Sequence, residues 1–270
     1  MKSMYFRSIW ISDLHLGSKN VNSAYLLEFL HHTDSDYLYL VGDIIDFWKL
    51  QKKVYWPRIN NRIARAILRK VRAGTRVIYI PGNHDEVMRK FAGQTLRGVL
   101  IAEEVIHETV DGRRFLVTHG DEFDPVVQHN KWLAELGSFA YEILLSVSGW
   151  LNRLRGRMGL SYWSLSAFLK HKVKQAVNFM GRFEEVVMHE ASRRQVDGLI
   201  CGHIHHAAIK RMDNITYNNI GDWVESCTAL TENMDGRLSL ITWTDNHALA
   251  GVEEKKYADC CRNGRLAPTG

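Results

Sequence analysis

The sequence predicts an α/β fold whose strands deliver polar side chains to one edge of a sheet. Five short apolar runs of strand length lead into Asp13-Leu14-His15, Gly42-Asp43, Gly82-Asn83-His84-Asp85, His119-Gly120-Asp121 and Gly202-His203-Ile204-His205. Helical patterns separate the first three runs, which is typical of β-α-β units. Ligands bind at the carboxyl ends of the strands in open α/β sheets. We therefore expect a ligand site where these runs end.

The elements between the runs follow from hydrophobic spacing and from turn residues. Residues 23–31 have helical spacing with Ser23 as the N-cap, and residues 58–73 predict a basic amphipathic helix that Gly74 ends. Asp111-Gly112 and Asp235-Gly236 each separate two strand-like runs, which predicts two hairpins.

Composition indicates a globular protein and excludes several classes. Of the 270 residues, 46% are hydrophobic and 24% charged, and the net charge of +5 does not by itself indicate a nucleic-acid partner. The four cysteines form no C-x-x-C pair, which favours a reducing, cytoplasmic setting. There is no signal-like start and no apolar run of about 18 residues. We expect a cytoplasmic protein, with peripheral contact to the inner face of the membrane left open.

The polar side chains at the strand ends predict a metal centre with two ions. The seven candidate ligands are Asp13, His15, Asp43, Asn83, His119, His203 and His205. Carboxylate, imidazole and amide ligands without thiolate favour Mn²⁺, Fe²⁺ or Zn²⁺. Seven ligands are too many for one tetrahedral ion, whereas they fit two ions that share a bridging carboxylate. Such a pair, about 3.5–4 Å apart, activates water and clamps a phosphoryl group.

His84 is the candidate for a catalytic group that does not bind metal. It follows the candidate ligand Asn83 directly, so it would lie beside the ions and stabilise or protonate phosphoryl oxygens. We expect Asp85 to hold the tautomer of His84, and Asp46 and Asp121 to orient the ligands.

Together, these motifs resemble those of the calcineurin-like metallophosphoesterases. The resemblance runs from the first strand to about Trp223 and includes Gly42-Asp43 with Asp46. It implies a four-layer α/β/β/α sandwich with a dinuclear centre. It also implies one ion held by Asp13, His15, Asp43 and His205, and the other by Asp43, Asn83, His119 and His203.

Within that family the chain is similar to the UDP-2,3-diacylglucosamine pyrophosphatases of lipid A biosynthesis. Phe47-Trp48 shortly after Asp43, His119-Gly120-Asp121 and Gly221-Asp222-Trp223 carry this similarity. It implies hydrolysis of the nucleotide sugar to UMP and 2,3-diacylglucosamine 1-phosphate, usually with Mn²⁺. That subfamily typically has Arg at the position of His84, whereas His is the rule in the wider family. A general metallophosphodiesterase or phosphatase, acting for example on cyclic nucleotides, stays open; a nuclease is less favoured, and no nucleic-acid or protein partner is expected.

A mostly helical segment between His119 and Gly202 predicts an insertion that acts as a lid. We expect a core of residues 1–125 and 195–255, an insertion of residues 126–194 and a flexible tail of residues 256–270. The mixed apolar and cationic composition of the insertion suits an amphiphilic phosphate ester or a membrane interface. The candidate substrate-binding residues are Asn130, Arg153, Arg157, Lys170 and Lys174, although a basic run is as often only a solvated face.

Overall fold

The computed structural model describes residues 3–126 and 181–244. The chain divides into two compact units, Met1–Asp121 with Ala191–Gly270, and Glu122–Glu190. The expected insertion and tail lie largely outside the described residues, so their boundaries stay a prediction. Within the described residues, no helix combines the length and the apolar character needed to cross a membrane.

Two β-sheets confirm the predicted α/β class. The strands are β1 (Met4–Ser12), β2 (Thr33–Val41), β3 (Arg76–Ile80), β4 (Thr95–Leu96), β5 (Val99–Ile101), β6 (Val105–Glu108), β7 (Arg114–Val117), β8 (Gly198–Cys201), β9 (Ala208–Met212), β10 (Ile215–Asn219), β11 (Thr228–Glu232) and β12 (Leu238–Thr242). The helices are α1 (Ser23–His32), α2 (Phe47–Lys52) and α3 (Arg58–Arg72); Glu86–Phe91 and Asp121–Val126 form 3₁₀ turns, and a further helix covers residues 181–193.

The first sheet has the strand order β12-β11-β1-β2-β3-β5-β4 and the second the order β6-β7-β8-β10-β9. Strands β1, β2 and β3 are parallel neighbours, and so are β7 and β8 in the second sheet. Their carboxyl ends carry the five polar motifs. The predicted hairpins are β6–β7 and β11–β12, and both pairs are antiparallel.

Apolar side chains fill the space on both faces of the first sheet. Between the two sheets, Trp10 and Tyr39 stack with ring centroids 5.3 Å apart and share a cluster with Phe115 and Ile200 of the second sheet. On the other face, the apolar sides of α1 and α3 are buried in a second, larger cluster, which includes Phe29. Burying each such side chain stabilises the folded state by about 1.5–3 kcal/mol. The core therefore fixes the strand ends that carry the site.

Several elements differ from the expectations. The predicted N-cap Ser23 is the first residue of α1, after Asn22, and β2 begins earlier than its apolar run. The α2 helix was not predicted, because its six residues include no buried one and so give no amphipathic signal. The Gly221-Asp222-Trp223 motif follows the end of β10.

A buried carboxylate, Glu232 at the end of β11, links the two sheets by hydrogen bonds. It accepts bonds from Ser8 Oγ (2.7 Å), from Arg7 Nη1 (2.8 Å) and from the backbone amide of Val110 (3.0 Å), and its Oε2 lies 2.9 Å from His107 Nε2. Burial alone would raise the pKa of Glu232, but the bonds from His107, Ser8 and their neighbours outweigh it and lower the pKa from 4.5 to about 2. Glu232 is therefore ionised in the folded protein and stabilises it.

We predict that Glu232→Gln lowers the free energy of unfolding by about 1–3 kcal/mol at neutral pH, because buried donors lose a charged acceptor. The folded pKa of Glu232 is depressed, so its contribution is present above pH 4.5 and is lost as the pH falls towards 2. Urea unfolding at pH 7 and pH 3.5 should show the difference between the two proteins shrinking at the lower pH. The exposed Glu225→Gln is the matched control; an unchanged difference at both pH values would contradict the assignment.

Candidate metal centre

The seven candidate ligands come from the carboxyl ends of strands in both sheets. Asp13 and His15 follow β1, Asp43 follows β2 and Asn83 follows β3, while His119 follows β7 and the two remaining histidines follow β8. The expectation of a single sheet edge was therefore wrong. The backbone amide of His203 donates to Asp13 Oδ2 at 3.0 Å, which joins the second sheet to the first at this point.

Asp13 and Asp43 lie at the middle of the cluster. Asp13 Oδ1 is 3.1 Å from His205 Nε2 and 3.9 Å from His15 Nε2. Asp43 directs Oδ1 towards His119 Nε2 at 3.6 Å and Oδ2 towards His15 Nε2 at 3.8 Å. The two oxygens of Asp43 thus face imidazoles from different sheets. Ligand atoms of Asp13, His15 and His205, and of Asp13, Asp43 and His119, lie within 4.8 Å of one another.

The backbone at this site is unusual, because ligand residues other than glycine adopt positive φ. The values are 52° at Asp13, 45° at His15, 53° at Asp43, 69° at His203 and 53° at His205. L-residues rarely occupy this left-handed region, and each such residue costs of the order of 1 kcal/mol. Strain of this kind concentrates at functional sites, where surrounding structure holds it.

Three glycines let the strand ends approach the ligands closely. A Cβ on Gly42 would overlap the ring of His119, and one on Gly82 would overlap both Asp43 and His119. A Cβ on Gly202 would overlap Asp13. Glycine at these positions is therefore a steric requirement of bringing carboxylates and imidazoles together.

The donor atoms fit a bound divalent cation. Asn83 Oδ1 and His119 Nε2 are buried and have no hydrogen-bond partner among the described residues. Buried polar atoms without partners are rare in folded proteins, because each one costs about 1–3 kcal/mol. A cation bound by these atoms would satisfy them, and oxygen and imidazole donors suit Mn²⁺, Fe²⁺ or Zn²⁺.

The electrostatics of the site favour positive charge between the carboxylates. Burial alone would lower the pKa of His119, but Asp43 and Asp13 outweigh it and raise that pKa to about 10. Burial would likewise lower the pKa of His205, yet Asp13 and Asp222 raise it to about 11. Burial opposes ionisation of Asp13 and Asp43, while the facing histidines lower the pKa of both. A bound cation would replace the protons on these imidazoles, because the same rings are its candidate ligands.

Two carboxylates and a backbone carbonyl lie behind the rings of three candidate ligand histidines. Asp46 Oδ2 lies 3.4 Å from His15 Nδ1, Asp222 Oδ2 lies 3.4 Å from His205 Nδ1, and the Val41 carbonyl oxygen lies 3.4 Å from His119 Nδ1. Such partners fix the tautomer and ring position of metal-binding histidines. The role of Asp46 agrees with expectation, whereas that of Asp222 was missed. Asp222 is distant from His205 in sequence, and only its place within the Gly221-Asp222-Trp223 motif marked it.

His84 lies beside the ligand cluster and is partly exposed. Its Nε2 is 3.9 Å from Asp43 Oδ2, and the ring of Trp48 covers it with centroids 4.2 Å apart. Its Nδ1 contacts Asp46 Oδ1 at 3.1 Å, so Asp46, and not Asp85 as expected, holds this ring. Burial would lower the pKa of His84, but the bond to Asp46 and the charge of Asp43 raise it.

Asp85 instead fixes the backbone that carries the ligands. Its buried carboxylate accepts from the amides of Gly82 (2.6 Å), Ile44 (2.8 Å) and Asp43 (3.3 Å), and from the hydroxyl of Tyr79. Burial raises the pKa of Asp85. The loops after β2 and β3 are therefore tied together through this one side chain.

Other predicted site residues have different positions. Asp121 makes a two-oxygen pair with Arg89, at 2.8 and 2.7 Å, rather than orienting a candidate ligand. The ring of His203 lies 5.1 Å from that of His119, which places it with the ligands. The candidate substrate-binding residues Asn130, Arg153, Arg157, Lys170 and Lys174 lie outside the described residues.

Comparison with known proteins identifies several similar chains. Curated relatives named UDP-2,3-diacylglucosamine hydrolase include one from Neisseria meningitidis serogroup A, 27% identical over 83% of this chain and 90% of the relative. Another is from Actinobacillus succinogenes, 26% identical over 83% of this chain and 94% of the relative. Among solved structures, a predicted phosphoesterase from Streptococcus pneumoniae is 13% identical, with a TM-score of 0.37, and covers 88% of this chain and 97% of that one.

The family model described as calcineurin-like phosphoesterase matches residues 6–207, a range that includes all seven candidate ligands. This match covers most of the chain. Within the described residues, Asp13, His15 and His205 form one group that could hold a metal ion, and Asp13, Asp43 and His119 form another. The chain belongs to the calcineurin-like phosphoesterase family and is a metal-dependent phosphoester hydrolase.

Proposed function

We propose that this enzyme hydrolyses UDP-2,3-diacylglucosamine to UMP and 2,3-diacylglucosamine 1-phosphate, using two divalent ions, with Mn²⁺ as the resident metal. It would work in the cytoplasm, at the inner face of the membrane in which an acylated substrate lies. The relatives named UDP-2,3-diacylglucosamine hydrolase, which match over most of both chains, support this choice of substrate.

The observation that carries the two-ion proposal is the position of Asp43. Its two oxygens face imidazoles of different sheets, which is the arrangement expected of a carboxylate shared by two ions. Asp13, His15, Asp43 and His205 would hold one ion, and Asp43, Asn83, His119 and His203 the other. A bound pair of ions supplies hydroxide near neutral pH and stabilises charge on phosphoryl oxygens.

The residues of the chain orient the substrate and handle its charge. His84 presents Nε2 on the exposed side of Asp43, while Asp46 and Trp48 fix its ring. From there it donates a hydrogen bond to a phosphoryl oxygen, or a proton to the departing one. The buried partners of His15 and His205 keep those rings directed at the centre.

A second candidate function is general phosphodiester hydrolysis. The observation that favours it is His84 itself, since the lipid A subfamily typically has Arg at this position whereas the wider family has His. The same metal centre would hydrolyse a cyclic nucleotide or another diester by the same chemistry. The two reactions would differ only in the leaving group that is bound.

We predict that the Mn²⁺-loaded enzyme releases UMP from UDP-2,3-diacylglucosamine with a kcat/KM at least about 100-fold above that for 2′,3′-cyclic AMP or bis(p-nitrophenyl) phosphate. The reason is that binding of the acylated sugar lowers the barrier only for the matching substrate. UMP release is measured by chromatography and the other reactions by absorbance. Faster turnover of the small diesters would instead favour the second candidate function.

We predict that Asp43→Asn lowers both Mn²⁺ affinity and turnover by more than about 100-fold, because loss of even an outer partner of a metal ligand costs 10–100-fold. Calorimetric titration gives the affinity and the number of ions bound, with two expected for the wild type. The matched control is Asp213→Asn, a change at an exposed turn. Full affinity and turnover in Asp43→Asn would disprove the shared carboxylate.

We predict that His84→Gln lowers kcat by about 10²–10⁴-fold while two ions remain bound, because the side chain donates to the reacting phosphoryl group and is no ligand. His84→Arg keeps a cationic donor and should recover part of the loss on the nucleotide sugar. Metal content is measured by elemental analysis. Loss of metal in His84→Gln would make it a ligand instead, and wild-type kcat would remove it from the reaction.

A further inference from the structure

The positive charge of this protein is concentrated in one continuous segment. Residues 47–84, between the buried carboxylates of Asp46 and Asp85, contain ten Lys and Arg and no Asp or Glu. The other 232 residues carry the remaining 25 cationic and all 30 acidic side chains. The net charge of +5 is therefore the sum of +10 in this segment and −5 elsewhere.

Half of this charge lies on one face of α3. Its exposed arginines are Arg58, Arg62, Arg65, Arg69 and Arg72, and their spacing places them in a stripe along the helix. The opposite face, with Ile63 and Ile67, is buried in the core. Burial lowers the pKa of His31 on the neighbouring α1, and the charges of Arg69 and Arg62 lower it further. The stripe therefore creates a positive field at this surface.

An apolar tip precedes the stripe in the loop that connects α2 to α3. Val54 is 80% exposed, and Tyr55 and Trp56 are also exposed. Trp56 Nε1 donates to Asn61 Oδ1 of α3 at 2.9 Å, so the indole is fixed at the start of the stripe. The Lys19 ammonium lies 5.9 Å from the centre of the Tyr55 ring. Exposed apolar and aromatic side chains thus stand next to a row of guanidinium groups.

We propose that this surface, formed by residues 54–56 and the arginine stripe of α3, docks the enzyme on a bilayer containing anionic phospholipid. Guanidinium groups pair with headgroup phosphates, and Trp, Tyr and Val enter the layer beneath them. Single-stranded nucleic acid binds through aromatic rings on which bases stack, whereas the most exposed residue of this tip is Val54, an aliphatic side chain that suits a lipid layer instead. The choice of lipid also rests on the proposed function, whose substrate carries acyl chains.

The test is sedimentation of the full-length enzyme with vesicles of phosphatidylcholine alone or mixed with phosphatidylglycerol. Wild type should bind only the anionic vesicles, and salt should weaken binding. Arg62→Gln, Arg65→Gln and Arg72→Gln together should lower the affinity about 100-fold, since each cation near an anionic surface contributes about a factor of five. Val54→Ser with Trp56→Ser should remove the part of the binding that persists at high salt.

The matched control neutralises three exposed cations elsewhere, with Lys210→Gln, Arg211→Gln and Arg237→Gln, and should bind vesicles as the wild type does. All variants should unfold at wild-type temperature and hydrolyse bis(p-nitrophenyl) phosphate at wild-type rate. Equal losses in both triple variants, or tighter binding to an oligonucleotide than to vesicles at the same salt, would overturn the proposal. Vesicle binding without cleavage of the nucleotide sugar would defeat the proposed function and leave the docking surface intact.

Discussion

The burial of two carboxylates in one small volume is the constraint on which this structure depends. Asp13 and Asp43 are almost fully buried and face the same group of imidazoles. Buried anions this close repel each other and lose their hydration, so they are tolerated only with compensating positive charge. The facing histidines lower the pKa of both carboxyl groups, and a divalent cation bound between the carboxylates would compensate their charge more fully.

This arrangement requires unfavourable backbone conformations, which the rest of the fold must stabilise. Positive φ at five ligand residues, together with glycines that leave no room for a Cβ, costs free energy at the strand ends. The compensation comes from the packed interior on both faces of the first sheet and from polar links between the sheets. Glu232 and Asp85 show the same principle at different places: a buried carboxylate accepts several donors and joins segments distant in sequence.

The sequence predicts the parts of the fold and site that are encoded locally. Buried strands that end in Asp, Asn or His, the basic amphipathic α3, and two Asp-Gly hairpins all depend on neighbouring residues, and the structure confirms these elements. That the ligands come from two sheets was not predictable, because no local pattern states which strands pair. The expectation of a four-layer sandwich came from the family resemblance and not from hydrophobic periodicity.

The errors at the site have the same origin. Asp85 follows His84 directly, so it was expected to hold that ring, but the turn after β3 directs its carboxylate to backbone amides. Asp46 holds the ring from another loop. Asp222 reaches His205 only because the chain after β10 returns beside β8. Adjacency in sequence is a poor guide to side-chain contact wherever the backbone turns sharply.

The segment between Asp46 and Asp85 connects the metal centre with the proposed docking surface. Its first residues cover His84 through Trp48, its middle forms the apolar tip and the arginine stripe, and its end supplies Asn83 and His84. Because α3 runs opposite to the parallel strands it connects, its first turn lies near their carboxyl ends, where the ligands are. A bilayer that contacts Trp56 would therefore lie near the centre, and an acylated substrate would need to leave the membrane only in part.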